Sequence, residues 1–343
     1  MQHIALSKWA DVLVICPATG DLINGIVTGR ADDLVKAVCL AYDFQNKPFL
    51  IAPSMNTVML KNPITQENIQ KLSRMGVHIL PTKVGNLACG DYGEGKLLNP
   101  EAIALYIRYS YALHSHDKRE ILITAGGTSE DLDGVREISN FSTGRTGAFL
   151  ADFLTVAGHS VTLLRSKSSV KSILPLHEII YSSSKDLDSL LQKELEGKRF
   201  DAVIQLAAVS DFVVDHLLVD GVEVTVGEGD LKKLSSDSSL AIVMKKNKKI
   251  INDIKKYSSN PKLKLIGFKL THNMTAEAAQ RKIQKIFDGA NADFVVHNEL
   301  SEISATSHPA KVYSKDQANY SEVSTKEELA WELHQVITNH LPI

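Results

Sequence analysis

Two short glycine-bearing loops, each placed where an apolar run gives out, constrain this chain more than any other feature. Ile121-Leu-Ile-Thr-Ala-Gly-Gly-Thr128 carries β-forming residues straight into a glycine pair. Ile138-Ser-Asn-Phe-Ser-Thr-Gly-Arg-Thr-Gly147 is a second small-residue loop that opens an amphipathic segment, 148–157. Gly158-His159 then leads into another apolar strand, 161–164. The pattern predicts a strand–helix–strand unit whose strand end exposes backbone without side chains. Such backbone lets N–H groups approach a phosphate closely. The dinucleotide fingerprint G-x-G-x-x-G is absent, which points to a mononucleotide or a phosphorylated substrate rather than NAD.

Other apolar runs recur along the chain at 12–16, 49–52, 77–80, 202–206, 265–268 and 294–296, with helical stretches between them. Strands alternating with helices imply parallel sheets covered on both faces. The expected fold class is α/β, with two three-layer Rossmann-like domains. The pattern breaks between Gly95 and Lys118, passing from Asn99-Pro100 through a helical stretch to the polar His114-Ser-His-Asp-Lys118, read as a linker. The expected boundaries are therefore 1–113, a linker at 114–118, and 119–343. His114 and His116 have no third ligand nearby in sequence and read as solvated residues.

With 343 residues, the chain is long enough for two domains with adequate cores. A formal net charge of −2 argues against a nucleic-acid partner bound through a broad basic surface. The lysine-rich 245–256 reads as a charged helix face or a ligand-facing patch. Three cysteines without C-x-x-C pairing suit a reducing cytoplasm. No apolar run reaches the roughly 18 residues that span a bilayer, and Met1-Gln-His3 lacks the features of a signal peptide.

In the first half, three motifs lie at or just beyond strand ends: Cys16-Pro-Ala-Thr-Gly-Asp21, Ala52-Pro-Ser-Met-Asn-Thr-Val-Met59 and Ala88-Cys-Gly-Asp-Tyr-Gly-Glu-Gly-Lys96. Upstream stands His3-Ile-Ala-Leu6. This constellation resembles the flavin-dependent cysteine decarboxylases, and within them the phosphopantothenoylcysteine decarboxylases. The resemblance implies an FMN domain of flavodoxin type, with Thr19 and Met55 at the cofactor. It implies catalytic roles for His3, for Asn56 in handling the substrate, and for Cys89 in returning a proton to the intermediate. A flavin suits the chemistry because oxidising the substrate thiol creates an electron sink for loss of carbon dioxide. Two departures stand out. The chain starts at the histidine, so the strand and phosphate loop that precede it in the family have no counterpart and an incomplete flavodoxin-like domain is expected. Gly20-Asp21 also stands where Ala-Asn is usual.

The second half resembles phosphopantothenate–cysteine ligase almost end to end. The family's segments appear as Ala125-Gly-Gly-Thr-Ser-Glu130, Ile138 to Gly147, Ala207-Ala-Val-Ser-Asp-Phe212 and Ile266-Gly-Phe-Lys-Leu270. The resemblance implies ligation of phosphopantothenate to cysteine through an acyl-nucleotide intermediate, with CTP as co-substrate and Mg²⁺ as its metal. The carboxylate must first acquire a leaving group, and charge builds on phosphate as it does so. Backbone amides, a lysine and a metal ion stabilise that charge. Gly126 and Gly127 are placed to approach phosphate. By resemblance, Ala207, Ala208 and Asp211 meet the nucleotide, Phe268 lies against it, and Asn140 handles the acyl-nucleotide. The catalytic lysine is read as Lys233, in Lys233-Leu-Ser-Ser-Asp237, with Lys232 as the alternative. Arg281 and Lys285 are four apart on an expected helix, so they share a face. The resemblance places such a pair at nucleotide phosphates; a solvated face is the alternative. Metal ligands are not legible.

A homo-oligomer is implied by the same resemblance, as a ligase-domain dimer with further association through the first half. Two other readings stay open at this point. One is a flavoprotein of different substrate with a nucleotide-binding regulatory half. The other is a ligase whose first half serves only for assembly.

Overall fold

A computed structural model describes residues 1–111, 117–225, 239–304, 307–315 and 320–339. Lys232, Lys233, His114 and His116 lie outside the described residues. The chain divides into two units, Met1–His116 with Val156–Gly158 and Ile173–Pro175, and the remainder from Asp117 onward.

In the first unit the elements run α1 (Gln2–Trp9), β1 (Leu13–Ala18), α2 (Gly20–Val27), α3 (Leu34–Ala41), β2 (Phe49–Pro53), α4 (Thr57–Lys61), α5 (Pro63–Arg74), β3 (His78–Ile79), β4 (Lys83–Asn86), β5 (Tyr92–Lys96) and α6 (Pro100–Arg108). β1, β2 and β3 form a parallel sheet in that order, with Ile15 opposite Ile51 and Ile51 opposite Ile79. β2 is buried along its whole length, which is why it reads as an unbroken apolar run. β4 and β5 pair as a separate antiparallel hairpin that carries the Cys89 loop at its tip.

The second unit contains β6 (Glu120–Ala125), β7 (Ser129–Asp131), β8 (Glu137–Ser139), α7 (Arg145–Val156), β9 (Ser160–Ser166), β10 (His177–Tyr181), α8 (Ser184–Gly197), β11 (Ala202–Gln205), β12 (Phe212–Val219), β13 (Val222–Thr225), β14 (Leu240–Lys246), α9 (Ile254–Tyr257), β15 (Lys264–Thr271), α10 (Ala276–Ala290), β16 (Phe294–Glu299), β17 (Ala310–Ser314), β18 (Tyr320–Val323) and α11 (Lys326–Thr338). The main sheet has eight strands in the order β10-β9-β6-β11-β15-β16-β17-β18. Its first six are parallel, and β17 and β18 close one edge antiparallel. Counted from β6, the parallel part runs third, second, first, fourth, fifth, sixth, the doubly wound order. Its topological switch point, where such sheets bind ligands, falls between β6 and β11.

Strand residues alternate between two covered faces. Leu122, Val203, Leu265 and Val295 join Leu187, Leu191 and Leu195 of α8 and Ile283 and Phe287 of α10 in one core cluster. Phe153 of α7 packs edge-on to Trp331 of α11, and His159, between α7 and β9, meets His334 of α11. The expected three-layer arrangement is present in this unit. Five strands stand outside the main sheet: β7 pairs with β8, and β13, β12 and β14 form their own antiparallel sheet. Their exposed apolar residues, Val222, Leu240, Ile242 and Met244 among them, do not belong to the main core.

Candidate functional site

At the switch point, β6 and β11 are stitched together past their last paired residues. Thr124 Oγ1 donates to Gln205 Oε1 (2.9 Å) and accepts from the N–H groups of Leu206 (3.1 Å) and Ala207 (3.0 Å). The Ala208 N–H donates to Gly126 O (2.9 Å), and Thr128 N–H donates to Ala208 O (3.2 Å). Ala207 and Ala208 therefore lend the site a small-residue main-chain wall whose amides are already engaged. The N–H groups of Gly126 and Gly127 differ: neither has a hydrogen-bond partner among the described residues. Glycine is required at both. Gly126 has φ +90°, and a Cβ there would collide with Ser166; a Cβ on Gly127 would strike the Asn140 carbonyl.

Asn140 crosses to the same place. Its backbone N–H donates to Thr128 O, and its Nδ2 donates to Ala208 O at 3.1 Å. The loop that follows turns through Gly144 into α7, whose first turn adds unsatisfied amides and the positive end of a helix dipole. Gly147 packs so tightly on β6 that a Cβ would lie 2.5 Å from Ala125 Cβ. The helix N-terminus is thereby pressed against the strand end.

These pieces line a cavity of about 800 Å³. Of the residues expected at the nucleotide site, Gly126, Asn140, Ala207, Ala208, Asp211, Phe268 and Lys285 line it, and Gly127 does not. Arg281 is a correction: it is exposed and does not line the cavity, whereas Lys282 does. Ala279, Ile283 and Phe287 of α10 are buried, and that phase turns Lys282, Lys285 and Ile286 toward the opening. Asp211 is ion-paired with Lys249, whose hydrogen bond holds its carboxyl below the usual carboxylate range despite some burial. Lys248 is shared among Asp188 (3.0 Å), Asp253 (3.0 Å) and Tyr257 Oη (2.6 Å). Lys269, Lys282 and Lys285 have no partner among the described residues. Burial, reinforced by Lys282, pushes the Lys269 ammonium below its ordinary pKa. Three lysines without an ion-pair partner among the described residues, on one cavity with the Gly126 amide and outnumbering Asp211, make a wall suited to a polyanion. His297 is held away from this wall: its Nε2 meets Thr271 Oγ1 at 2.8 Å, and burial lowers its pKa.

In the first unit, Asn56 caps α4, its Oδ1 accepting from Val58 N–H at 2.8 Å. That bond turns Nδ2 toward Cys89 Sγ (3.3 Å) and Asp91 Oδ2 (2.8 Å). Gly95, at φ +110°, lets β5 close on the Met55 carbonyl, which brings the two motifs together. Met55 is buried, and Thr19 is exposed with its hydroxyl capping α2. His3 sits on α1 with no hydrogen bond to Asn56 or Cys89. Asp91 was not singled out in sequence, although it lies two residues past the cysteine.

Comparison with known proteins agrees with this division. Residues 116–341 match the DNA/pantothenate metabolism flavoprotein C-terminal domain, and residues 1–111 match the flavoprotein family. The coenzyme A biosynthesis bifunctional protein CoaBC of Vibrio vulnificus is 34% identical over 302 residues, 88% of this chain and 70% of that protein. The chain belongs to the bifunctional CoaBC family. The CoaBC of Thermococcus kodakarensis is 30% identical over 345 residues, covering 99% of this chain and 80% of its own. A solved DNA/pantothenate metabolism flavoprotein from Streptococcus pneumoniae superposes with a TM-score of 0.56 at 30% identity, covering 65% of this chain and 100% of that one. As a CoaBC-family member, the chain is an enzyme of coenzyme A biosynthesis with a flavoprotein-like N-terminal unit and a ligase-type C-terminal unit.

Proposed function

We propose that the C-terminal unit joins phosphopantothenate to cysteine at the expense of CTP, and that the N-terminal unit decarboxylates the product. The observation that carries the ligase reading is one cavity lined both by Gly126, whose amide has no partner among the described residues, and by Lys269, Lys282 and Lys285, which have no ion-pair partner among them. A substrate carboxylate oxygen attacks the α-phosphate, the bond to pyrophosphate breaks, and an acyl-nucleotide forms. The lysines stabilise the departing pyrophosphate, while the glycine amides and the start of α7 hold phosphate oxygens. Cysteine's amine then attacks the acyl carbon and the nucleoside monophosphate leaves. Asn140, fixed by Ala208 O, orients that carbonyl.

The described residues contain no cluster of three acidic, histidine or cysteine side chains fit to cage a metal. Mg²⁺ suits this site as an ion carried on the nucleotide's phosphates. Lys233, outside the described residues, remains the proposed catalytic lysine.

For decarboxylation, Asn56 and Cys89 form one hydrogen-bonded group with Asp91, a fit to the substrate side of a flavin site. FMN, when bound, supplies the reversible oxidation that makes carbon dioxide loss feasible. Asn56 orients the substrate, and Cys89 provides a proton from Sγ. The free thiols of Cys16, Cys39 and Cys89 suit a reducing cytoplasm. The exposed apolar residues of β13, β12 and β14 support association of ligase units as a dimer.

The test is pyrophosphate release by the purified protein. Release in the presence of phosphopantothenate and CTP is expected, limited to about one turnover per site without cysteine and continuing only when cysteine is added; release without phosphopantothenate, or none, overturns the ligase reading. A flavin absorbance band in the purified protein tests the second activity separately.

A further inference from the structure

One buried hydroxyl is aimed at the glycine turn from behind. Tyr181, the last residue of β10, is fully buried, and its phenol oxygen lies 2.8 Å from Ala125 O and 3.1 Å from Gly126 O. Its single proton is shared between two consecutive carbonyls. In a trans peptide unit the C=O and the following N–H point to opposite sides. Pinning the Ala125 carbonyl therefore turns the Gly126 N–H away from Tyr181, and pinning the Gly126 carbonyl does the same for Gly127. Neither amide has an acceptor among the described residues, and Gly126 is on the cavity wall while Tyr181 is not.

The end of β10 is itself anchored to this turn. Ser129 N–H donates to Ser182 O (2.9 Å), and Lys167 N–H donates to Tyr181 O (2.9 Å). At φ +90°, Gly126 has a wide choice of backbone conformations when nothing holds it. A peptide plane free to rotate would present its carbonyl oxygen to an incoming anion as readily as its N–H. Such a flip turns attraction into repulsion.

We propose that Tyr181 is a positioning residue for the ligase reaction: by holding the Ala125 and Gly126 carbonyls it fixes the glycine turn so that the Gly126 N–H is a donor to a phosphate in the cavity. This rests on the ligase reading above. The phosphate belongs either to the phosphorylated substrate or to the nucleotide, and both present the same oxygens. Both carbonyls also have backbone support: Ala125 is paired with Arg165 in the parallel β6–β9 ladder, and the Gly126 carbonyl accepts from Ala208 N–H at 2.9 Å.

Tyr181→Phe removes only the hydroxyl and keeps the ring in the core. Loss of one neutral hydrogen bond that orients a donor predicts KM for one phosphate-bearing substrate raised about tenfold, with kcat within about twofold. A rise for phosphopantothenate assigns its phosphate to the loop; a rise for CTP assigns the nucleotide's. A purely structural role predicts the opposite split: a smaller active fraction, so lower apparent kcat with both KM values unchanged. That result overturns the proposal. Backbone amide exchange provides a readout without turnover, in the parent protein and in the variant. CTP or phosphopantothenate should slow exchange at Gly126 in the parent and do so less in Tyr181→Phe. No slowing in the parent overturns the proposal even if the variant fails to fold. If the parent shows ligand protection but no ligation, the ligase reading fails while the loop assignment stands.

Discussion

The side-chain amide of Asn56 lies 3.3 Å from the sulfur of Cys89, across 33 positions of chain, and both meet the carboxylate of Asp91. Asn56 has two separable duties: Oδ1 caps α4, and Nδ2 reaches the thiol. Asn56→Ser keeps a cap acceptor and loses the Nδ2 donor without setting a second carboxylate against Asp91. It should retain stability while decarboxylation falls by about a hundredfold. Asn56→Ala should show the same loss of activity and in addition cost about 1 kcal/mol from the lost cap. Denaturant melts beside decarboxylase assays separate the two.

Lys282 and Arg281 are adjacent in sequence and differ in what they face. Lys282→Ala should raise the KM for CTP about tenfold or more, the scale of one charge-assisted hydrogen bond. Arg281→Ala, on the exposed side of α10, should leave it within about twofold. Equal effects would return the basic pair to Arg281 and Lys285.

Gly126→Ala should be among the most damaging single substitutions in the C-terminal unit. It combines a positive φ with a collision against Ser166. A loss of roughly 2–4 kcal/mol is expected, read from urea midpoints. Gly158→Ala is the control: Gly158 also has positive φ (+92°) but nothing lies within 4 Å of its Cβ position. The difference between the two isolates the collision.

His159 and His334 meet ring nitrogen to ring nitrogen at 2.9 Å in the interior. The Arg119 N–H donates to His159 Nδ1 at 3.1 Å, so His159 is neutral with its proton on Nε2, facing His334. Burial, with His334 second, pulls the His159 pKa down to about 4 from 6.5. The unfolded chain binds this proton first as pH falls, so stability is complete above about 6.5 and is lost on descending toward 4. The contribution is on the order of 2–3 kcal/mol. Thermal midpoints across that window should fall in the parent, and less steeply in His159→Gln.

Much of this was legible in the chain. β6 is a buried parallel strand, so its apolar run is unbroken, and the glycines after it mark where backbone approaches a ligand. The spacing of Ala207-Ala-Val-Ser-Asp211 carried no such physical signal on its own; resemblance supplied it, and the switch point between β6 and β11 gives the reason. What stayed hidden depends on three dimensions. Tyr181 ends a strand of mixed polarity, and its role exists only because β10 and β9 stack beside β6. Arg281 reads as a partner of Lys285, and Lys282 goes unnoticed, because four-residue spacing picks a face without saying which way it points. One helical position is about 100° of rotation, enough to move a charge from cavity to solvent. Asp91 was visible as a letter, but its partner Asn56 comes from another loop. The antiparallel β17 and β18 are short and half polar, so their alternation did not stand out.

The most direct test follows one oxygen atom. Phosphopantothenate labelled in its carboxylate with a heavy oxygen isotope should transfer one labelled oxygen to the nucleoside monophosphate as the amide bond forms. That is the signature of attack on the α-phosphate within the cavity walled by Gly126 and Lys282. Label found in inorganic phosphate, or monophosphate released without it, would contradict the account.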